Sequence, residues 1–185
     1  MLLANIREFV RVTCQQSQNV FSASFFDQHL SVVADCATSL AERLGADLEV
    51  VELAAYLHDI SAVFDPPTMP NHPRQSADLA THILLEHGYP EGRASDVAHA
   101  IASHSHPLPI GSASLEAVCV SNADATARIL RPAYWMYFVF GIRKYGFEEG
   151  RQWLRSLVEK QWCGMIEPAK ELVGEQYAAL LDLLS

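Results

Sequence analysis

Histidine and aspartate side chains recur in a fixed order through the first two thirds of the chain. In chain order they are His29, the adjacent pair His58-Asp59, His72, His104 and Asp124. Imidazole nitrogens and carboxylate oxygens bind borderline divalent metals such as zinc, manganese, iron, cobalt and nickel. Five separate segments supply these six side chains, so a fold that brings them together would create a site for one or two ions. We therefore predict a metalloenzyme.

The elements that position these residues are predicted to be helices. Apolar residues recur at spacings of three and four along nearly the whole chain, which favours amphipathic helices. The predicted helices cover residues 2–18, 28–44, 47–59, 73–87, 91–104, 114–130, 147–162 and 166–184. Asp27 is the expected N-cap of the second helix and Gly45 its C-terminal stop. The proline-rich segment 61–73 and the segment 106–112 are predicted loops.

The fold class predicted from this pattern is all-α. Only residues 20–26 resemble a strand, and that run is short and isolated. A chain of 185 residues buries roughly 70% of its unfolded surface, so its core needs no disulfide or structural metal. We expect a single domain over residues 1–185, organised as a helical bundle. Its metal-binding core would span residues 25–130, and residues 131–185 would form a C-terminal helical extension.

Composition excludes several classes of protein. Half of the residues are hydrophobic and 19% are charged, which is ordinary for a globular protein. Thirteen basic against 22 acidic residues give a net charge of −9, so a general nucleic-acid-binding surface is not expected. No uncharged apolar stretch is long enough to span a membrane. The four cysteines form no CxxC pair, which indicates reduced thiols and a cytoplasmic protein.

Five segments carry the candidate ligands, namely QHLSVVADCATSLAERLGAD, ELAAYLHDI, NHPRQSADLATHIL, VAHAIASHSH and SLEAVCVSNADATARI. Together they resemble the HD-domain superfamily of metal-dependent phosphohydrolases, whose pattern is H…HD…D. The resemblance covers residues 25–130, and the C-terminal part is similar to that of small stand-alone HD hydrolases. It implies a helical bundle of the HD type.

The resemblance also implies a ligand set. One metal would be held by His29, His58, Asp59 and Asp124. Some members of the superfamily carry two further histidines between the HD pair and the last aspartate, and His72 and His104 occupy those places here. A second metal would then be held by a bridging Asp59 together with these two histidines. The identity of the metal stays open among manganese, iron, cobalt, nickel and zinc.

The predicted chemistry is hydrolysis of a nucleotide or another small phosphate ester by a metal-activated water. Asp59 would bind metal and take part in catalysis. His106 would replace His104 as a ligand or act as a proton donor. Arg128 lies one helical turn after Asp124, on the same face, and is the first candidate for contacting the phosphate. Arg74, two residues after His72, is the second.

Each candidate also has an ordinary structural interpretation. His29 fits a hydrogen-bonded core histidine, and Arg128 or Arg74 fits a salt bridge. The aromatic run 134–140 would wall a nucleobase pocket, or it would belong to the core or to a subunit interface, so a homodimer is left open. Two other functions use the same ligand set. One is a di-iron oxygenase similar to myo-inositol oxygenase, and the other is a non-catalytic metal-binding regulatory module.

Overall fold

The computed structural model describes residues 2–64 and 71–185, and within these ranges the protein is all-α, with no β-strand. The first six α-helices are α1 (Leu2–Cys14), α2 (Ser31–Leu44), α3 (Leu48–Leu57), α4 (Ile60–Phe64), α5 (His72–Glu86) and α6 (Glu91–Ala102). The remaining five are α7 (Leu115–Leu130), α8 (Pro132–Met136), α9 (Phe147–Gly164), α10 (Glu167–Glu171) and α11 (Gly174–Leu183). Two π-helical turns, π1 (Phe26–Leu30) and π2 (Tyr137–Ile142), precede α2 and follow α8. The predicted fold class is confirmed.

Helix α7 forms the centre of the bundle. It packs against α2, α3 and α6 on one side and against α9, α10 and α11 on the other. Every residue from 117 to 127 is buried, so this helix meets protein all round, as expected for a helix that crosses a core. Any polar side chain on this part of α7 is therefore held away from water.

Helix α3 is placed by signals at its own N-terminus. Gly45 adopts a left-handed conformation (φ 75°) and closes α2, a role that glycine fills because it has no Cβ. Asp47 then caps α3, since its side chain accepts a hydrogen bond from the Val50 backbone N–H at 3.1 Å. The sharp reversal lays α3 back along α2. The C-terminal end of α3 carries the His58-Asp59 pair.

The first predicted helix is shorter than expected. It was predicted over residues 2–18 but ends at Cys14, because the Asn19 side chain donates a hydrogen bond to the Cys14 carbonyl at 2.8 Å. That bond satisfies one of the acceptors that a helix leaves unpaired at its C-terminus. Asp27 was wrongly predicted as an N-cap. It lies inside π1, and the chain enters α2 through Leu30 in a helical conformation.

The loop predicted over residues 61–73 is wrong at both ends. Helix α4 covers its beginning, since the first four residues of α4 are apolar or small and buried. At the other end α5 begins at His72, with Pro73 in its first turn, where proline's missing N–H costs no hydrogen bond. The part of the predicted loop from 65 to 70 lies outside the described residues.

The last predicted helix, over residues 166–184, is two helices. The buried Val173 leaves the helical conformation (φ −140°, ψ 15°) between α10 and α11, so the chain turns and both short helices reach α7. Among the described residues, no helix has the combined length and apolar character needed to cross a bilayer.

Asn122 joins three parts of the bundle. Its side-chain Nδ2 donates hydrogen bonds to the carbonyls of Val118 and Leu108, each at 2.9 Å. Its Oδ1 accepts from the Ile166 backbone N–H at 2.9 Å. The residue is fully buried, so it fixes both the loop after α6 and the chain entering α10 to the centre of the fold.

We predict that Asn122→Ala lowers the free energy of unfolding by about 2–3 kcal/mol, because it leaves a backbone carbonyl and an N–H buried without partners. Urea denaturation followed by circular dichroism measures the change. Asn5→Ala is the matched control, since Asn5 is exposed on α1 and should alter stability by less than about 0.5 kcal/mol. Equal stability of the two variants would contradict this role.

Candidate metal centre

His29 is presented by π1. A π-turn inserts one extra residue into a helical path and often occurs where a side chain must be re-aimed. The His29 ring is completely buried, stacked on Phe25 with ring centroids 4.9 Å apart. The edge of Trp135 meets it from another side, 5.4 Å away between centroids. Aromatic packing therefore fixes the imidazole with its Nε2 turned towards the other candidate ligands.

His58 and His104 occupy equivalent positions at the C-terminal ends of two helices. His58 Nδ1 donates a hydrogen bond to the Ala55 carbonyl at 2.7 Å, and His104 Nδ1 donates to the Ile101 carbonyl at 2.6 Å. A carbonyl can only accept, so each Nδ1 carries the proton and each neutral ring has its lone pair on Nε2. This is the arrangement found in metal-binding histidines, where a hydrogen bond to the far nitrogen sets the tautomer.

His72 is the first residue of α5, and it is tied to the segment that follows Asp59. The Ser61 hydroxyl donates to the His72 backbone carbonyl at 3.2 Å and lies 2.9 Å from the Ser76 hydroxyl. The Ser61 backbone N–H also donates to the Ser76 hydroxyl at 3.2 Å. These bonds brace the start of α5 against α4, so His72 and Asp59 keep a fixed separation.

Asp124 lies in the buried part of α7 and is 1% exposed. Its Oδ2 forms an ion pair with Arg128 Nη2 at 2.8 Å, one helical turn along. Its Oδ1 is 3.3 Å from His29 Nε2, but it has no partner in hydrogen-bond geometry among the described residues. A buried carboxylate oxygen is costly without a partner, so this atom is available to a cation.

The candidate ligands form two triads that share Asp59. Asp59 Oδ2 lies 3.6 Å from His29 Nε2 and 3.3 Å from His58 Nε2. Asp59 Oδ1 lies 3.1 Å from His72 Nε2 and 3.5 Å from His104 Nε2. Each oxygen therefore faces a different pair of imidazoles, which is the placement that a carboxylate bridging two ions needs.

The spacing of the ligand atoms fits divalent metals. Within the two triads the paired Nε2 atoms lie 3.3 Å apart (His29 and His58) and 3.1 Å apart (His72 and His104). Metal–ligand bonds of about 2.1 Å place neighbouring ligand atoms roughly 3.0 Å apart in an octahedron and roughly 3.4 Å apart in a tetrahedron. Lone pairs at this distance repel unless a cation lies between them. Nitrogen and carboxylate donors suit manganese, iron, cobalt, nickel or zinc.

The pKa shifts of the cluster residues also indicate that the site favours bound positive charge. Burial lowers the pKa of His58, but the neighbouring Asp59 carboxylate outweighs burial and raises this pKa to about 8. Burial alone would raise the pKa of Asp59, yet the neighbouring imidazoles of His58, His104 and His29 hold it well below its usual range. For His29 and His104 burial prevails and lowers the pKa. The buried carboxylate thus draws a cation to itself, and a proton on His58 fills that need when no metal is bound.

The cluster opens into a cavity of about 280 Å³. Asp59 and His72 form part of its wall, and Arg128 and Arg143 supply positive charge. Its aromatic lining comprises Phe21, Phe25, Trp135, Phe138 and Trp153. The Arg128 guanidinium lies over the Trp135 ring, 5.1 Å from its centroid. Two residues of the aromatic run 134–140 therefore line this cavity, while Tyr137 is exposed.

The remaining candidates lie elsewhere. The structure brings His104 to Asp59, whereas His106 is exposed with its Nε2 3.4 Å from Lys160 Nζ. Arg74 is exposed and is not among the described residues that line the cavity. Their catalytic roles stay predictions. Sequence reasoning missed Arg143, although it follows the aromatic run directly and could have been found from that position.

We predict that Asp59→Ala weakens metal binding more than about 100-fold, because it removes the one ligand that both triads share. Elemental analysis after dialysis measures the metal content, and added Mn²⁺ or Zn²⁺ should raise the Tm of the wild type but not of the variant. Asp96→Ala, exposed on α6, should bind metal normally. An Asp59→Ala protein with full metal content would contradict the proposed centre.

We predict that His72→Ala removes about one ion per chain and leaves the other, since His72 belongs to one triad only. Metal-loaded variant and wild type are compared by elemental analysis at equal protein concentration. His99→Ala serves as the control because His99 is exposed on α6. An unchanged stoichiometry would show that a single ion is bound.

Comparisons with known proteins agree with this architecture. The chain aligns with Bacillus subtilis YpgQ in complex with ADP over 98% of its own length and 90% of that chain, with 25% identity and a TM-score of 0.68. A predicted HD superfamily hydrolase from an uncultured Thermotogales bacterium aligns over 98% of this chain and 88% of its own, with 19% identity and a TM-score of 0.64. The second likeness bears on the fold alone.

Curated relatives match a little over half of the chain. Ribonuclease Y of Oleidesulfovibrio alaskensis is 35% identical over 109 residues, 59% of this chain, and that of Cutibacterium acnes is 30% identical over 112 residues, 58% of this chain. The chain spans only 18% and 19% of the length of these relatives, respectively. The family model of the HD domain matches residues 26–129, more than half of the chain and the part that holds all six candidate ligands. The chain therefore belongs to the HD domain family.

Proposed function

We propose that the protein is a metal-dependent phosphohydrolase that acts on a nucleotide or another small phosphate ester. The observation that carries the proposal is that the two triads sharing Asp59 open into the same cavity as two arginines. A phosphoryl group is anionic and is stabilised by metal ions and guanidinium groups together. The family to which the chain belongs supports hydrolysis in general, and the cavity supports a small anionic substrate.

Two groups of residues would hold the metals. His29, His58 and Asp59, with Asp124 beside them, would hold one ion, and Asp59, His72 and His104 the other. Divalent ions bound there would lower the pKa of a coordinated water and polarise a phosphoryl oxygen. Because both triads are largely buried, the side chains need little reorganisation to accept the ions.

Arg128 is the residue best placed to bind the phosphoryl oxygens. Its Nη2 is fixed by Asp124, and its guanidinium plane is held over Trp135. A guanidinium that is oriented in advance stabilises developing charge without reorganising. Arg143 adds a second positive charge to the cavity, and the aromatic wall suits a planar or apolar group attached to the phosphate.

A small ester is favoured over a polynucleotide. The name of the Ribonuclease Y relatives points to RNA, and the YpgQ structure contains ADP. A chain with net charge −9 is poorly suited to neutralise many successive phosphates, and a cavity of about 280 Å³ is at the small end for ligand sites. We therefore propose a small-molecule partner and a cytoplasmic location, with no nucleic-acid or membrane partner. A homodimer stays compatible with this proposal.

The second candidate function is a di-iron oxygenase. It is favoured by one observation, that four imidazoles surround the bridging carboxylate, and iron accepts such ligands. Anaerobic purification followed by iron assay and oxygen-uptake measurement separates the two chemistries. Oxygen consumption without phosphate release from any ester would replace the phosphohydrolase proposal. A protein that binds metal but supports neither reaction would instead be a metal-binding regulatory module.

We predict that the wild type, loaded with Mn²⁺, Co²⁺ or Zn²⁺, releases phosphate or a nucleotide from a panel of 5′-nucleotides and simple phosphomonoesters. Arg128→Gln should lower kcat/KM by about 100-fold with unchanged metal content, because one preorganised donor to the phosphoryl group is lost. Arg155→Gln is the matched control, since Arg155 forms an ion pair with Glu159 at the same helical spacing but does not line the cavity at the metal centre. Full activity of Arg128→Gln would contradict the assigned role.

A further inference from the structure

A second cavity adjoins the one at the metal centre. It has a volume of about 240 Å³. Ser105, Arg128 and Leu157 line both cavities, so they form the partition between them. Asp59 does not line the second cavity, which is bounded by the loop after α6 and by the C-terminal half of α9.

The second cavity is basic. Arg128 forms part of its inner wall, and His106 and Lys160 line it as well. Of the described residues that line this cavity, none is a carboxylate, although the chain as a whole carries a net charge of −9. A basic lining in an acidic protein concentrates anions at that place.

The side chains of His106 and Lys160 are hydrogen-bonded to each other. His106 Nδ1 donates to the Ser105 carbonyl, so its Nε2 carries a lone pair that accepts from Lys160 Nζ at 3.4 Å. An ammonium has three N–H donors, so two remain for another acceptor. His106 thus positions the lysine at the cavity.

Two residues of the wall each carry a buried polar atom that lacks a hydrogen-bond partner among the described residues. One is Arg128 Nε, a donor, and the other is the Oε1 of Gln161. Gln161 is 4% exposed and lines the second cavity, and rotation of its terminal amide would present N–H groups in place of the oxygen. Buried polar groups are nearly always paired in native proteins, so a ligand that brings acceptors would favour rotation of these two side chains towards the cavity.

We propose that the second cavity is an anion subsite, in which Lys160, Arg128 and Gln161 bind a second anionic group of the substrate while the first phosphoryl group lies at the metal centre. The proposal deepens the proposed function and rests on it for the first phosphoryl group. The ligand class is a compound with two anionic groups a short distance apart, either two phosphoryl groups or a phosphoryl group and a carboxylate. His106 is then a positioning residue for Lys160.

The test is calorimetric titration of the metal-loaded protein with three non-hydrolysable probes. Methylenediphosphonate carries two phosphoryl groups, phosphonoacetate carries one and a carboxylate, and methylphosphonate carries one alone. Lys160→Gln should weaken binding of methylenediphosphonate about five- to tenfold, the loss expected for one charge-assisted hydrogen bond at an open site. Binding of methylphosphonate should be unchanged. An equal loss for phosphonoacetate would identify a general anion subsite, and no loss would identify a phosphoryl subsite.

Lys170→Gln is the matched control. It removes the same charge, and Lys170 contacts Glu167 and Trp162 outside both cavities. Metal content is measured after each titration, so that extraction of the ions by the probes is detected. Equal affinity of wild type and Lys160→Gln for methylenediphosphonate overturns the subsite. Because the probes are not hydrolysed, this result is independent of whether the protein cleaves any ester, which the substrate panel decides separately.

Discussion

The structure depends on the burial of one carboxylate among four imidazoles. Asp59 is 8% exposed, and each of its oxygens faces two histidine nitrogens. Neutral imidazoles whose lone pairs point at a carboxylate and at one another are unstable unless positive charge lies between them. A proton on His58 can supply one charge, and two divalent ions would supply more. The helical bundle holds the side chains of this cluster in place.

The ends of helices position most of the histidines in that cluster. His58 and His104 follow the last turns of α3 and α6, where free backbone carbonyls are available to fix the imidazole tautomers. His72 begins α5 and is braced through Ser61. Asp124 alone comes from the middle of a helix, and there the surrounding protein excludes water on all sides. The cavities open on the side where these helix ends meet α8 and α9.

Much of this arrangement can be predicted from the sequence. The order of histidines and aspartates and the helical periodicity indicate the fold class, and the resemblance to a known superfamily extends this to a ligand set. The π-turn that aims His29 could not be predicted, because a single inserted residue barely changes apolar periodicity. Helix α4 was not predicted, because five apolar and small residues before a proline run are too few to show the helical spacing of apolar side chains. The basic cavity at Lys160 is formed by segments more than fifty residues apart in the chain. A local sequence pattern cannot predict that two such distant segments lie side by side.

Diffraction from crystals of the metal-loaded protein, recorded on both sides of the metal's absorption edge, tests the central claim most directly. We expect two anomalous peaks about 3.5–4 Å apart, one on each side of the Asp59 carboxylate, with Asp124 bound to the ion next to His29. A single peak remote from Asp59, or Asp124 turned away from every ion, would contradict it.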